Sequence, residues 1–171
     1  MSSTSATRPT AASGPPASAW RDAAAWVSTG ARLVLGVVWL WAGLVKILDP
    51  AQSVIAVRAY RLLPEALVRP VAWGLPFLEL AVAILLLSGI RTRLAAWLSL
   101  GLLAVFVASV ASAWARGLSI SCGCFGGGGA APGVHWTTYA KEIARDAALM
   151  ALSAWLVWRP RSRLAVEVER R

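Results

Sequence analysis

Cys122 and Cys124 are the only cysteines of the 171-residue chain, and they sit one residue apart in SISCGCFGGGG, residues 119–129. Sulfurs spaced this closely close a smaller ring than a CxxC motif would, and a disulfide bent away from its relaxed geometry is easier to reduce. Gly123 removes a side chain where the backbone must turn, and the four glycines at 126–129 permit positive φ and leave the sulfurs open to a protein partner. A redox-active pair is the leading reading. Two others stay open: a structural pair that pins the loop, and a metal site of Cys122, Cys124 and His135, which lacks the fourth ligand usual for structural zinc.

A second group of reactive side chains lies within apolar sequence. Glu79 follows Pro76 by three residues, and Pro76 cannot donate to the carbonyl of Ala72, so two polar groups fall inside one hydrophobic run. Lys46 ends another such run, and YAKEIARDAALM carries Lys141, Glu142, Arg145 and Asp146. Ionisable groups in such surroundings are functional candidates by default. Together they predict a polar patch just beneath the cysteine loop, suited to a quinone headgroup, to proton transfer or to a docked partner. An ion pair between Lys46 and Glu79 that only fixes helix packing is the plainer alternative.

The elements that position these residues follow from composition. Hydrophobic residues make up 58% of the chain, mean hydropathy is +0.63, and ten Trp stand against eight acidic residues. A water-soluble domain of this size could not cover so much apolar surface. Leu94 to Ala115 is an uncharged run between Arg93 and Arg116, longer than the ~20 apolar residues that cross a hydrocarbon core. Three more spans are predicted at 29–48, 70–90 and 139–158, each carrying ionisable residues. A carboxylate at mid-span costs about 2.5–3.5 kcal/mol and each Leu, Ile, Val or Phe returns about 0.3–0.6, so LELAVAILLL offsets Glu79. Trp73, Trp97, Trp114, Trp136, Trp155 and Trp158 fall near predicted span ends, where an aromatic belt belongs.

The connection DPAQSVIAVRAYRLLPEALVRP is too polar to span, yet Val54, Ile55, Val57, Leu62 and Leu63 recur at helical spacing, which predicts a short amphipathic helix at the interface. Ala104, Ala108 and Ser112 form a small-residue stripe suited to close helix contact. The predicted fold class is therefore all-α: an integral membrane four-helix transmembrane bundle with a short amphipathic helix between the first two spans. Residues 1–28, rich in Ser, Ala, Thr and Pro without a continuous apolar stretch, read as a disordered cytoplasmic tail rather than a signal peptide, and 159–171 as a basic cytoplasmic tail.

Four spans place both termini on one side, which holds ten Lys and Arg against seven on the other. The positive-inside rule puts the termini in the cytoplasm and the Cys122/Cys124 loop outside, where bacterial disulfides persist. The net charge of +9 is met by membrane lipid headgroups. No basic stretch outside the spans is interleaved with base-stacking aromatics, which argues against nucleic acid as a partner. GGGG lacks the Lys and helix-opening context of a phosphate-binding loop. Fifteen Arg to two Lys, with abundant Ala, fit a GC-rich bacterial genome.

The series AGLVKILDP (42–50), AYRLLPEAL (59–67), LPFLELAVAILLLSG (75–89), CGCFGG (122–127) and RD (145–146) resembles the MauE family of MauE/DoxX membrane proteins over about residues 30–158. The resemblance implies a four-helix membrane protein of thiol redox chemistry, related in architecture to DsbB and vitamin K epoxide reductase, in the plasma membrane. It implies a role in methylamine utilisation, maturing methylamine dehydrogenase with an extracytoplasmic thioredoxin-like or DsbA-like partner. Cys122 and Cys124 match the family's cysteine motif, and Lys46, Glu79, Arg145 and Asp146 its polar positions within the spans. A DsbB-type relay has two cysteine pairs, whereas this chain has one, so electrons would pass directly between that pair and a quinone or second protein. Two alternatives remain: a non-enzymatic membrane anchor or chaperone for a secreted redox protein, and a DoxX-like quinone oxidoreductase subunit.

Overall fold

The computed structural model describes residues 17–123, 126–131 and 133–160. Cys124, residues 1–16 of the predicted N-terminal tail and residues 161–171 of the basic tail lie outside the described residues. The elements run α1 (Ala17–Leu48), α2 (Pro50–Ala59), α3 (Glu65–Ser88), α4 (Thr92–Ala115), β1 (Ile120–Ser121), β2 (Gly129–Ala130) and α5 (Trp136–Trp158). The protein is mostly helical. Three helical stretches, 22–48, 65–88 and 92–115, are long and apolar enough to cross a membrane. Helix α5 is not among them, because its first half carries Lys141, Glu142, Arg145 and Asp146.

Two expectations need correction, and a third element is found where it was expected. Helix α1 starts at Ala17, inside the stretch predicted as a tail up to 28. The reason is local: ASAWRDAAAW is rich in Ala, the best helix former, and hydropathy alone does not register that. The short helix α2 is capped by Asp49, whose side chain accepts from the Gln52 N–H at 2.9 Å, and opens on Pro50, where a missing N–H costs nothing. It buries Ser53 and Ala56 against the protein and leaves Ile55 half exposed, an arrangement compatible with the predicted interfacial helix, whose apolar side chains would meet lipid. Finally, Ala104 and Ala108 face outward, and the small residues that α4 buries are Ala95, Ala96, Ser99 and Ala113.

The most extensive helix contacts join α1 to α3 and α4 to α5. The α1–α3 approach depends on two glycines one heptad apart. A Cβ at Gly36 would meet the Leu87 side chain at 2.7 Å, and one at Gly43 would meet the Leu80 side chain at 2.8 Å and the Pro76 carbonyl at 3.1 Å. Around this seam Leu35, Trp39, Val82, Leu86, Leu103 and Leu156 form the main core. A buried polar chain ties three helices together: the Trp39 indole donates to Ser99 Oγ at 2.8 Å, and Ser99 shares a 2.9 Å hydrogen bond with Ser153. Each group finds its partner inside the bundle, as a water-free surrounding requires.

At the cap of α3, Gly89 takes the left-handed conformation (φ 75°) that ends the helix, and the chain returns at once into α4. The connection from α4 to α5 is longer and contains a two-stranded antiparallel ribbon pairing Ile120 with Ala130 and Ser121 with Gly129, an element the all-α expectation did not include. Large apolar side chains such as Leu33, Val37, Phe77, Ile84, Trp97 and Val105 cover the outside of the three apolar helices, as a surface facing lipid would.

Replacing Gly43 with Val drives two methyl groups into Leu80 and the Pro76 carbonyl, so the expected loss is about 1–3 kcal/mol, the usual result of overpacking. Gly101→Ala, where an added Cβ meets nothing within 4 Å, is expected to lose no stability and to gain up to about 1 kcal/mol from helix propensity. Thermal unfolding of both variants in one detergent separates the two cases.

Candidate functional site

Lys46 sits in the last turn of α1, one turn beyond Gly43, and Glu79 lies in the middle of α3, one turn beyond Pro76. The close α1–α3 crossing therefore delivers the ammonium directly onto the carboxylate. Lys46 Nζ donates to Glu79 Oε1 at 2.7 Å and to Oε2 at 2.9 Å, with a longer contact of 3.4 Å to the Ala42 carbonyl. Both residues are buried, Glu79 completely. The ammonium also lies 5.9 Å from the centroid of the Phe106 ring on α4, within cation–π range. The structure thus joins Lys46 and Glu79 as an ion pair.

The other two carried-over positions form a second pair on α5. Arg145 Nε donates to Asp146 Oδ1 at 2.9 Å, and Asp146 is 2% exposed. Arg145 therefore forms an ion pair with its own sequence neighbour. Asp146 Oδ2 has no hydrogen-bond partner among the described residues. The two pairs converge on shared neighbours, because Asp146, Ala42 and Phe106 line one void of about 10 Å³. Lys141 is exposed and outside this group, and His135 is exposed at the N-cap of α5.

The described part of the cysteine loop packs closely on the helices, against the expectation that its glycines leave the Cys122 sulfur open. Cys122 is 7% exposed. Gly123 (φ 70°) and Gly128 pack on α2: an added Cβ would lie 2.8 and 2.7 Å from the Ala56 methyl. At Gly126 (φ 92°) an added Cβ would come within 2.6 Å of Val45 on α1. The glycine run thus serves close approach as well as backbone freedom. Gln52 on α2 donates its side-chain amide to the Gly128 carbonyl.

The two tyrosines of the chain both hold this loop. Tyr60 Oη donates to the Cys122 carbonyl at 2.9 Å; Tyr139 Oη accepts from the Ile120 N–H at 3.0 Å and donates to the Leu118 carbonyl. The Cys122 N–H makes a long 3.4 Å contact to Glu142 Oε1. Neither tyrosine was identified from sequence, although each flanks a predicted motif and their scarcity was a signal. Gly43, Ser53 and Phe106 were missed as well, since nothing local marks them.

Cys122 and Lys46 line the same cavity. It measures about 310 Å³, is walled mainly by apolar residues of α2, α3 and α4, and among its described lining residues Lys46 is the only charged one. Gly123, Tyr60, Ser53 and Phe106 also contribute to its wall. No group of three or more His, Cys, Asp or Glu suited to a metal ion occurs among the described residues.

A helical protein with three membrane-capable helices and a buried cation beneath a cysteine loop defines a class of polytopic membrane protein. The chain belongs to the family described as methylamine utilisation protein MauE, whose family model matches residues 23–159. It is similar to methylamine utilization protein MauE of Paracoccus denitrificans, with 33% identity over 126 residues, 73% of this chain and 67% of that protein. The protein of the same name from Methylorubrum extorquens is 35% identical over 133 residues, 77% of this chain and 69% of the relative. No solved structure matches.

Removing one member of the Lys46–Glu79 pair strands the other charge in the core. Lys46→Met and Glu79→Leu are each expected to cost about 3–5 kcal/mol, and the double variant to recover most of that loss. A double-mutant cycle on detergent-solubilised protein measures the coupling; additive losses would mean that the two side chains do not depend on each other.

Proposed function

We propose that this protein is a four-span protein of the bacterial plasma membrane that exchanges electrons with an extracytoplasmic thioredoxin-like or DsbA-like protein through Cys122 and Cys124. In this reading the termini and the Gly89 turn are cytoplasmic and the glycine-rich loop faces outward, in keeping with the Lys and Arg excess on the terminal side. Helix α5 is the fourth span, its charged residues turned toward the other helices: Asp146 is buried while Lys141, near the helix end, is exposed.

The observation that carries the reading is that Cys122 and Lys46 line one cavity. In the exchange, a thiolate of one dithiol attacks the disulfide of the other, a mixed disulfide forms, and the second thiol displaces it. Two electrons and two protons pass from the dithiol that is consumed to the disulfide that is reduced. A quinone held in the cavity would supply the oxidant that resets the pair, taking up the two electrons and two protons of the dithiol. The cavity, apolar with a cation at one end, is of the kind that takes such a ring. The residues that would hold it are Lys46 with Glu79 behind it, while Asp146, paired with Arg145, lines a small void together with Phe106.

The names of the relatives place those proteins in methylamine utilisation. We extend that role to this chain, with maturation of methylamine dehydrogenase as the process served.

One observation favours a second reading. Cys122 is nearly inaccessible and its loop is fastened by Tyr60 and Tyr139, as befits a loop that anchors a secreted redox protein without exchanging electrons. Trapping separates the two. Under thiol exchange, Cys122→Ser and Cys124→Ser differ, one accumulating a mixed disulfide with the partner and the double variant accumulating none. If the partner associates equally with wild type and double variant and no mixed disulfide is captured, the anchoring reading stands instead.

A further inference from the structure

A second cavity, of about 780 Å³, lies at the end of the bundle opposite the cysteine loop, where α4 begins and α5 ends. Its described wall is Ala24 and Ala25 of α1, Arg93 in the first turn of α4, and residues 157–160 at the end of α5, Arg159 among them. No acidic residue belongs to that wall. Both arginines are exposed, and neither guanidinium has a hydrogen bond or ion pair among the described residues. One exposed arginine is an ordinary surface feature. Two from different helices that line one concave space without an acidic neighbour concentrate positive potential there.

The fold fixes where these charges stand. Ser28 Oγ on α1 donates to the Arg159 carbonyl at 2.9 Å and accepts from the Trp155 indole at 3.1 Å, which ties the end of α5 to α1. Arg93 immediately precedes the uncharged run 94–115, and Arg159 immediately follows the last residue of α5, Trp158. Both charges therefore lie at the level where apolar helix gives way to polar chain, which in a bilayer is the level of the lipid headgroups. Trp158, 80% exposed, is of the residue type enriched at that level.

We propose that this cavity is a binding site for the phosphate of an anionic phospholipid headgroup, held between Arg93 and Arg159. Guanidinium N–H groups pair with phosphate oxygens in charge-assisted hydrogen bonds, and Arg is the side chain best shaped for that contact. The volume lies within the range of small-molecule sites and leaves room for the headgroup beyond its phosphate. The rest of the described wall, Ala24, Ala25, Val157, Trp158 and Pro160, is apolar and suits the glycerol region of a lipid, where a free phosphate ion gains nothing. In the orientation proposed above this end is cytoplasmic, the side on which the membrane surface is negative. The site does not involve the thiols.

The test uses the full chain in a neutral detergent with three probes: phosphatidylglycerol, phosphatidylcholine and inorganic phosphate. The readout is the concentration that gives half of the probe-induced rise in melting temperature, each variant being compared with its own probe-free value. Phosphatidylglycerol should act at a concentration at least about tenfold lower than phosphatidylcholine, whose choline cancels the phosphate charge; a basic residue near anionic lipid contributes about fivefold. Arg93→Gln and Arg159→Gln should each raise the phosphatidylglycerol concentration by about that factor, and the double variant should abolish the preference for the anionic lipid. Arg91→Gln removes the same charge two residues from Arg93 but outside the described wall, and should leave the response nearly unchanged. Equal losses in Arg91→Gln and Arg93→Gln would mean diffuse surface charge rather than a site and would overturn the proposal. Equal response to the two lipids overturns it as well, as does a response to inorganic phosphate that matches the one to phosphatidylglycerol, which would make the ligand a free anion.

Discussion

The Lys46–Glu79 contact is the constraint around which the rest of the molecule is arranged. A buried ion pair contributes little net stability, because taking both charges out of water costs about as much as their attraction returns. Its consequence is specificity. Each charge is strongly unfavourable alone in an apolar surrounding, so α1 and α3 must meet in the one register that brings Nζ within 2.7 Å of Oε1. Gly43 permits that register by letting α1 approach the Pro76 carbonyl, where a larger side chain would hold the helices apart. The proline that frees a backbone acceptor and the glycine that admits the neighbouring helix sit at the same crossing, one turn from the ion pair.

Once that crossing is set, the cysteine loop has a place to lie. The C-terminal end of α1 brings Val45 under Gly126, and α2, which starts two residues after Leu48, brings Ala56 under Gly123 and Gly128. The loop is thereby pressed onto the helices closely enough for Cys122 to share a cavity with Lys46. Tyr60 and Tyr139 fasten it from opposite sides, one from the end of α2 and one from the first turn of α5. A sulfur that is buried against an apolar cavity differs chemically from one displayed on a flexible arm, because access to it is restricted.

Much of this was legible in the sequence, and the parts that were not have physical reasons. The uncharged run from Leu94 to Ala115 identified a membrane-capable helix because length and hydropathy alone decide it. Lys46 and Glu79 stood out because isolated charges within apolar runs are costly. Their pairing could be suggested, but the register that creates it depends on Gly43, and a glycine within a helical run carries no local sign of what approaches it. The start of α1 was misplaced because Ala favours helix strongly while adding little hydropathy. Helix α2 buries Ser53 and Ala56 because the glycine loop demands small partners, a face that a pattern based on apolarity does not mark. The loop glycines read as freedom in the sequence, whereas at Gly123, Gly126 and Gly128 they are equally the absence of side chains where the loop meets itself and the helices.

The central claim is that an extracytoplasmic cysteine pair cycles between dithiol and disulfide above this buried cation. Acid quenching of intact cells, followed by alkylation of the unfolded protein and a mass-shift readout, reports the state of Cys122 and Cys124 whatever their burial. The account predicts a pair oxidised at rest that becomes fully alkylated after a membrane-impermeant reductant is added to the cells. A pair already reduced before treatment, or one that changes only after the membrane is opened, would contradict it.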